Sequence, residues 1–264
     1  MAPLVYLITG ANKGIGYETV RILAERLKDQ AIVLLGTRSV DNGKAAIAKM
    51  KQTNPSFDYA NVQVVEIDVA KKASIQAAAD HVKAAYGSLH VLVNNAGITG
   101  FGGDKAECFQ VPNQSFNIVV GSIVGSWTFG DLPPELQAIF EDFTAVDTAA
   151  MQNLIDDWLV YAEEKPCQHP WPAAFPAFVP YEISKMMAMA VGRKWAAEHP
   201  DIKTTVVCPG YCATDLNHHS GVRTAAQGAE SILFPIFHDE LTKSGGFYND
   251  GVELPYKAIR PAMP

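Results

Sequence analysis

The chain has no block of basic residues, no long apolar run and no Pro/Ser-rich linker. With 21 Lys and Arg against 28 Asp and Glu its net charge is -7, so a nucleic acid finds no electrostatic footprint and any anion site must be local. A membrane span needs roughly 20 consecutive apolar residues. The N-terminal stretch Leu4 to Ile8 is far too short for a span or a signal core, and the expectation is a soluble, cytoplasmic protein. The four cysteines Cys108, Cys167, Cys208 and Cys212 have neither the pairing of a metal site nor the density of a disulfide scaffold, so they read as idle thiols, with no metal. Adjacent His218 and His219 have no cluster of further ligands and read as a solvated loop. Nothing divides the 264 residues, 48% of them hydrophobic, so residues 1–264 read as one domain.

What is present begins with Thr9-Gly10-Ala11-Asn12-Lys13-Gly14-Ile15-Gly16, set between the apolar run Leu4 to Ile8 and a helical pattern of Val20, Leu23, Ala24 and Leu27. Glycines permit a tight turn and close backbone approach, and the helix that follows turns its free N–H groups toward a phosphate. Further short aliphatic runs are Ala31 to Leu35, Val62 to Ile67, Leu89 to Val93, Ile118 to Val120 and Thr204 to Cys208, several of them separated by helix-period segments. Strand and helix in alternation predict an α/β fold: a doubly wound parallel sheet of Rossmann type in three layers, with ligands beyond the carboxyl ends of the strands. After the second strand Arg38 stands where a carboxylate would favour NAD, and with Lys13 in the glycine turn it points to the 2′-phosphate of NADP. Asp68-Val69 and Asn94-Asn95-Ala96-Gly97 follow the third and fourth strands.

Tyr181-Glu182-Ile183-Ser184-Lys185 places a phenol and an ammonium one helical turn apart, a spacing that suits proton donation, with the cation expected to lower the phenol pKa. Together with the glycine motif, Asn-Asn-Ala-Gly, and Pro209-Gly210 with Thr214, this makes the chain resemble the short-chain dehydrogenase/reductase family over nearly its whole length. The segment between Ser122 and Tyr181, with Pro134-Glu135-Leu136-Gln137 and Trp171-Pro172, is similar to the monomeric carbonyl reductase branch. There an insertion, here about 127–178, covers the helical face used elsewhere for dimerisation, which implies a monomer. The resemblance implies an NADPH-dependent enzyme acting on a carbonyl or alcohol, with Ser122, Tyr181 and Lys185 catalytic. Ser126 is the second candidate for the serine, in a segment where Gly121 replaces the first member of a Ser-Ser pair. For the cofactor NADP(H) the resemblance assigns Gly10, Asn12, Lys13, Gly14, Ile15 and Gly16 to the pyrophosphate and ribose. It assigns Asp68 and Val69 to adenine; Asn94, Ala96 and Gly97 to the adjacent ribose; Lys185 to the nicotinamide ribose; and Pro209, Gly210, Cys212 and Thr214 to the nicotinamide end.

The chain departs from the family between Gly97 and Ser122, where a helix carrying a proton-relay asparagine is expected and the segment is short. Asn113 and Asn117 are the candidates to replace that asparagine. Loss of the helix predicts an uncovered face on the Tyr181 helix at Met186, Met187, Met189 and Val191, to be buried by Leu154, Ile155, Trp158 and Leu159 of the insertion or by a partner subunit. Phe101, Trp127, Phe129, Phe175, Phe178 and Tyr211 suggest an apolar or aromatic substrate. Two further readings are a biosynthetic ketoreductase for a bulky natural product and an NADP-binding protein of this fold that has lost turnover and acts as an interaction module.

Overall fold

The computed structural model describes residues 2–97, 115–142, 148–171 and 179–261. The first half alternates strand and helix: β1 (Leu4–Ile8), α1 (Gly14–Leu27), β2 (Ala31–Thr37), α2 (Val40–Thr53), β3 (Val62–Glu66), α3 (Lys72–Tyr86) and β4 (Val91–Asn94). The second half runs β5 (Phe116–Val120), α4 (Ile123–Asp131), α5 (Pro134–Glu141), α6 (Thr148–Ala162), α7 (Val179–Glu198) and β6 (Lys203–Val207). It ends with α8 (Ala225–Phe237), β7 (Phe247–Asn249) and β8 (Val252–Glu253). The strands form one sheet in the order β3-β2-β1-β4-β5-β6-β7-β8, parallel except for the β7–β8 pair. The six strands expected from the sequence are present, and the two last were not foreseen because they are only three and two residues long.

Period-two alternation sorts the strand residues onto two faces. Ile8, Val33, Leu35, Val93 and Ile118 pack under α1 and α8 with Val20, Leu23, Ile232 and Leu233. Leu7, Leu34, Val65 and Leu92 point the other way, against Ile75, Ala78 and Val82 of α3. Each fully buried Leu or Val stabilises the fold by about 1.5–3 kcal/mol, so this alternation fixes the register firmly.

β4 and β5 pair in parallel, Val93 opposite Ile118, although only a short connection joins them. The missing-helix segment lies largely at 98–114, outside the described residues, as do Phe101, Asn113, Phe175 and Phe178. The face that its loss was expected to leave open is covered. Met186 and Met187 of α7 are buried with Leu136 and Phe140 of α5, Met151, Leu154 and Trp158 of α6, and Trp171. Met189 packs on the sheet instead, beside Val119, Val206 and Phe247. Leu159 is 45% exposed and takes no part in this packing.

A carboxylate organises the end of the insertion. Asp157, 9% exposed, accepts the backbone N–H groups of Gln168 (2.6 Å) and His169 (3.1 Å), the Trp171 indole N–H (2.9 Å) and the His169 Nδ1 contact (2.8 Å). Burial opposes its ionisation, but these donors outweigh burial and hold its carboxyl below the usual aspartate value.

Candidate active site

Strand order reverses between β1 and β4, and the glycine turn sits at that crevice. Thr9 Oγ1 accepts the backbone N–H groups of Asn95 (3.1 Å) and Ala96 (3.0 Å), while Asn95 Nδ2 donates to the carbonyls of Thr9 (2.8 Å) and Gly10 (3.2 Å). The Asn-Asn-Ala-Gly segment thus holds the turn in shape through Asn95, a residue the sequence reading passed over in favour of Asn94. Gly10 has φ +63°, and a Cβ there would lie 2.8 Å from Ala96 Cα. A Cβ on Gly16 would lie 2.5 Å from Asn95 Nδ2 and 2.7 Å from the Gly10 carbonyl. α1 starts at Gly14 with no side-chain cap and no acidic residue in its first turn. The result is a tight backbone cradle at an uncapped helix N-terminus, which fits the pyrophosphate of a dinucleotide.

Around this cradle the other expected residues are close but unequally free. Asn12, Ile15 and Ala96 are half-buried. Thr214 faces Gly14, its Cγ2 3.6 Å from where a Cβ would stand. The exposed Lys13 ammonium is paired with Asp215 (3.0 Å), which also meets His219 Nε2 (3.1 Å). Arg38 leaves β2 exposed. The Asp68 carboxyl is held below its usual value by the backbone N–H of Ala70, against burial, with help from Lys71 and Arg38. Val69 packs on the α3 side of the core, and Gly97 is exposed.

At the ends of β5 and β6 the chemistry-bearing groups converge. Ser122 precedes the first residue of α4, and Tyr181 lies in the first turn of α7. Burial, the largest effect, together with the nearby Cys208 and Cys212 sulfurs, raises the Tyr181 phenol pKa, while the neighbouring Ser122 hydroxyl acts to lower it. Tyr181 therefore keeps its proton at neutral pH.

This overturns the expectation that Lys185 lowers the phenol pKa. Lys185 Nζ lies 5.7 Å from the Tyr181 ring centroid and donates to the Val120 carbonyl (2.8 Å). Burial pushes its own pKa down to about 8. The Val120 carbonyl takes the ammonium directly. Asn117, one of the two relay candidates, is committed to the sheet, accepting from Asn94 Nδ2 (2.8 Å) and donating to Thr204 Oγ1 (3.5 Å). Asn94 is thereby turned toward β5.

Of the two candidate serines, Ser126 is fully buried and donates to the Pro255 carbonyl (2.9 Å), which leaves Ser122 beside the phenol. Gly121 has no room for a side chain: a Cβ there would lie 2.6 Å from Val206 Cγ1 and 2.9 Å from Met189 Cγ.

The loop after β6 closes the other side. Gly210 adopts φ +78°, and the buried Cys212 thiol donates to the Pro209 carbonyl (3.3 Å). The loop neck is pinned by Ala213 N–H to the Arg223 carbonyl (2.7 Å) and Arg223 N–H to the Tyr211 carbonyl (3.0 Å). Tyr211, Leu216 and Val222 stand exposed on it. Phe129, expected near the substrate, is buried in the insertion core against Phe140, and Trp127 lies beneath Arg260. No described helix is long and apolar enough to cross a membrane.

Comparison with known proteins agrees with this geometry. Residues 4–127 match the family model for short chain dehydrogenases. The chain is 27% identical to (+)-neomenthol dehydrogenase of Capsicum annuum, covering 86% of this chain and 89% of that one. It is 26% identical to NADPH carbonyl reductase 1 of Homo sapiens, over 87% of this chain and 89% of that one. Salutaridine reductase of Papaver somniferum is 26% identical over 94% of both chains, and its solved structure superposes with a TM-score of 0.73, covering 93% of this chain and 99% of that one at 24% identity. The alignment to that reductase spans 306 positions, more than the 264 residues here, so at least 42 of them have no counterpart in this chain, in keeping with a shortened connection. Glycine cradle, Ser-Tyr-Lys cluster, strand order and relatives point the same way: residues 4–127 match the short chain dehydrogenase family, and over most of its length the chain is similar to proteins named as dehydrogenases and carbonyl reductases.

Proposed function

We propose that the protein is an NADPH-dependent carbonyl reductase that converts a ketone or aldehyde to an alcohol, or runs the reverse oxidation. The observation that carries this reading is the Ser122–Tyr181 hydroxyl pair, set at the strand ends with Lys185 behind it and the glycine cradle beside it. When bound, the dinucleotide supplies the hydride, as its chemistry dictates. Gly10, Asn12, Lys13, Gly14, Ile15 and Gly16 would hold its pyrophosphate and ribose, Arg38 its 2′-phosphate, and Pro209, Gly210, Cys212 and Thr214 its nicotinamide end. Ser122 donates a hydrogen bond to the substrate carbonyl oxygen, and Tyr181 gives its proton to that oxygen as the carbonyl carbon is reduced. Lys185, anchored on Val120, presents its ammonium to the ribose hydroxyls. The loop from Tyr211 to Arg223 excludes water from the reacting atoms.

Exposed Tyr211, Leu216 and Val222 favour an apolar substrate. They also support the narrower reading of a ketoreductase for a bulky natural product, in line with relatives named for neomenthol and salutaridine. Burial of the α7 face by the insertion supports a monomer, acting in the cytoplasm as one catalytic domain. The test is oxidation of NADPH against NADH over small aldehydes, quinones, diketones and polycyclic ketones. Turnover with NADPH rising with ketone size is the expected result. No turnover over the whole panel, with NADPH bound, contradicts the reading and favours the interaction module.

A further inference from the structure

The tail that follows β8 runs back over α4. Ser126 Oγ donates to the Pro255 carbonyl (2.9 Å), and the Ala258 N–H donates to the Ser126 carbonyl (3.1 Å). The fit is close enough that a Cβ on Gly130 would lie 2.1 Å from the Ala258 oxygen. Lys257 reaches Glu141 of α5 (2.6 Å). The tail is therefore seated along its length before it reaches Arg260.

Arg260 then grips the first turn of the catalytic helix. Its Nη1 and Nη2 donate to Glu182 Oε1 (3.1 Å) and Oε2 (2.7 Å), and its Nε donates to Asp131 Oδ2 at the end of α4 (2.6 Å). The guanidinium carbon lies 5.8 Å from the Trp127 ring centroid. Glu182 is 9% exposed and also accepts from Thr128 Oγ1 of α4 (3.2 Å). One planar cation thus joins two carboxylates on two helices, a geometry that an ammonium cannot reproduce.

Glu182 is the residue after Tyr181, and both lie in the first turn of α7, where the leading N–H groups have no carbonyl four residues back and a helix frays first. Ser122 stands at the N-terminus of α4. The Ser122–Tyr181 contact therefore depends on how the first turn of α7 is held against α4, and the Thr128–Glu182–Arg260–Asp131 network makes that connection. We propose that Arg260 is a positioning residue. From the far end of the chain it clamps Glu182 to α4 and so keeps the Tyr181 phenol at Ser122. This rests on the reading that those two hydroxyls act on the carbonyl.

The test uses the full-length protein with Arg260→Ala, Arg260→Lys and Glu182→Gln. Readouts are kcat and KM for a ketone that the wild type reduces, NADPH affinity by fluorescence, thermal melting, and amide hydrogen exchange over residues 179–187. Misplacing a reacting group by about 1 Å can cost about a hundredfold, so Arg260→Ala is expected to lower kcat about ten- to a hundredfold with NADPH affinity within about twofold of wild type. Exchange over 179–187 should accelerate about tenfold while that of the sheet is unchanged. Arg260→Lys should recover only part of the loss, and Glu182→Gln, which preserves shape but not charge, should lower kcat about threefold or more. Folded Arg260→Ala with kcat within about twofold of wild type overturns the proposal, as does unchanged exchange over 179–187. Loss of turnover, NADPH binding and melting temperature together in all three variants overturns it too, since that marks a general structural role. Exchange is read whether or not the wild type turns over, so an inactive wild type defeats the reading of the reaction without deciding the clamp.

Discussion

Along the glycine turn, backbone groups and near neighbours fix the chain; on the Tyr181 wall, carboxylates gather donors from distant stretches. Asn95 and Thr9 shape the turn through hydrogen bonds across one pair of adjacent strands. Asp157 draws in Gln168, His169 and Trp171, and Glu182 is held by Arg260, 78 residues away. The first arrangement is rigid because it leaves no space for a side chain. The second is held by charge-assisted hydrogen bonds whose loss strands buried polar groups, which concentrates its vulnerability in a few residues.

That contrast is broken most severely at Asp157. Replacing it by Ala leaves several donors without an acceptor, and unfolding in urea should show a loss of about 3 kcal/mol. Asp157→Asn, which keeps an acceptor oxygen, should lose about half as much. Equal stability of Asp157→Ala and wild type would mean that the insertion is held by its apolar packing alone. On the other side, Gly16→Ala forces a Cβ into the contact with Asn95 and the Gly10 carbonyl, at a cost of about 2 kcal/mol, with NADPH affinity falling more than about tenfold. Undiminished binding, read by cofactor fluorescence, would show that the cradle yields.

The fold was legible because its signals are local. Short aliphatic runs mark six strands, and the glycine run and the Tyr-x-x-x-Lys spacing each sit within one turn or one helix. The Tyr181 wall was legible only in part. Nothing near Glu182 in the sequence announces Arg260, and nothing marks Phe129 as insertion core rather than substrate wall. The effect of Lys185 on Tyr181 was misjudged because spacing along a helix places two groups without saying how deeply each is buried. Here burial raises the phenol pKa and lowers that of the ammonium. Ser122 was preferred to Ser126 for its place just after the run Ile118 to Val120; the seat of Pro255 on Ser126 lies too far along the chain to be read from the sequence.

Lys185 offers a finer test. Its pKa, lowered by burial to about 8, means that the ammonium is charged below that value and neutral above it. Carbonyl reduction should therefore be level from about pH 6 to 7 and decline as pH rises through about 8. Lys185→Arg, charged throughout, should turn over more slowly but without that decline. A decline at the same pH in the Arg variant would assign it to another group. The smallest effect belongs to the exposed Lys13–Asp215 pair: Asp215→Asn should leave NADPH affinity within about threefold of wild type. A larger change would show that this pair is part of the cofactor site.

The central claim is that the Tyr181 phenol delivers the proton, and Tyr181→Phe tests it most directly, with NADPH affinity measured beside NADPH-dependent ketone reduction. The account predicts unchanged affinity with kcat lowered by about a hundred- to ten-thousandfold. Reduction at the wild-type rate in Tyr181→Phe, with NADPH bound as tightly, would contradict it.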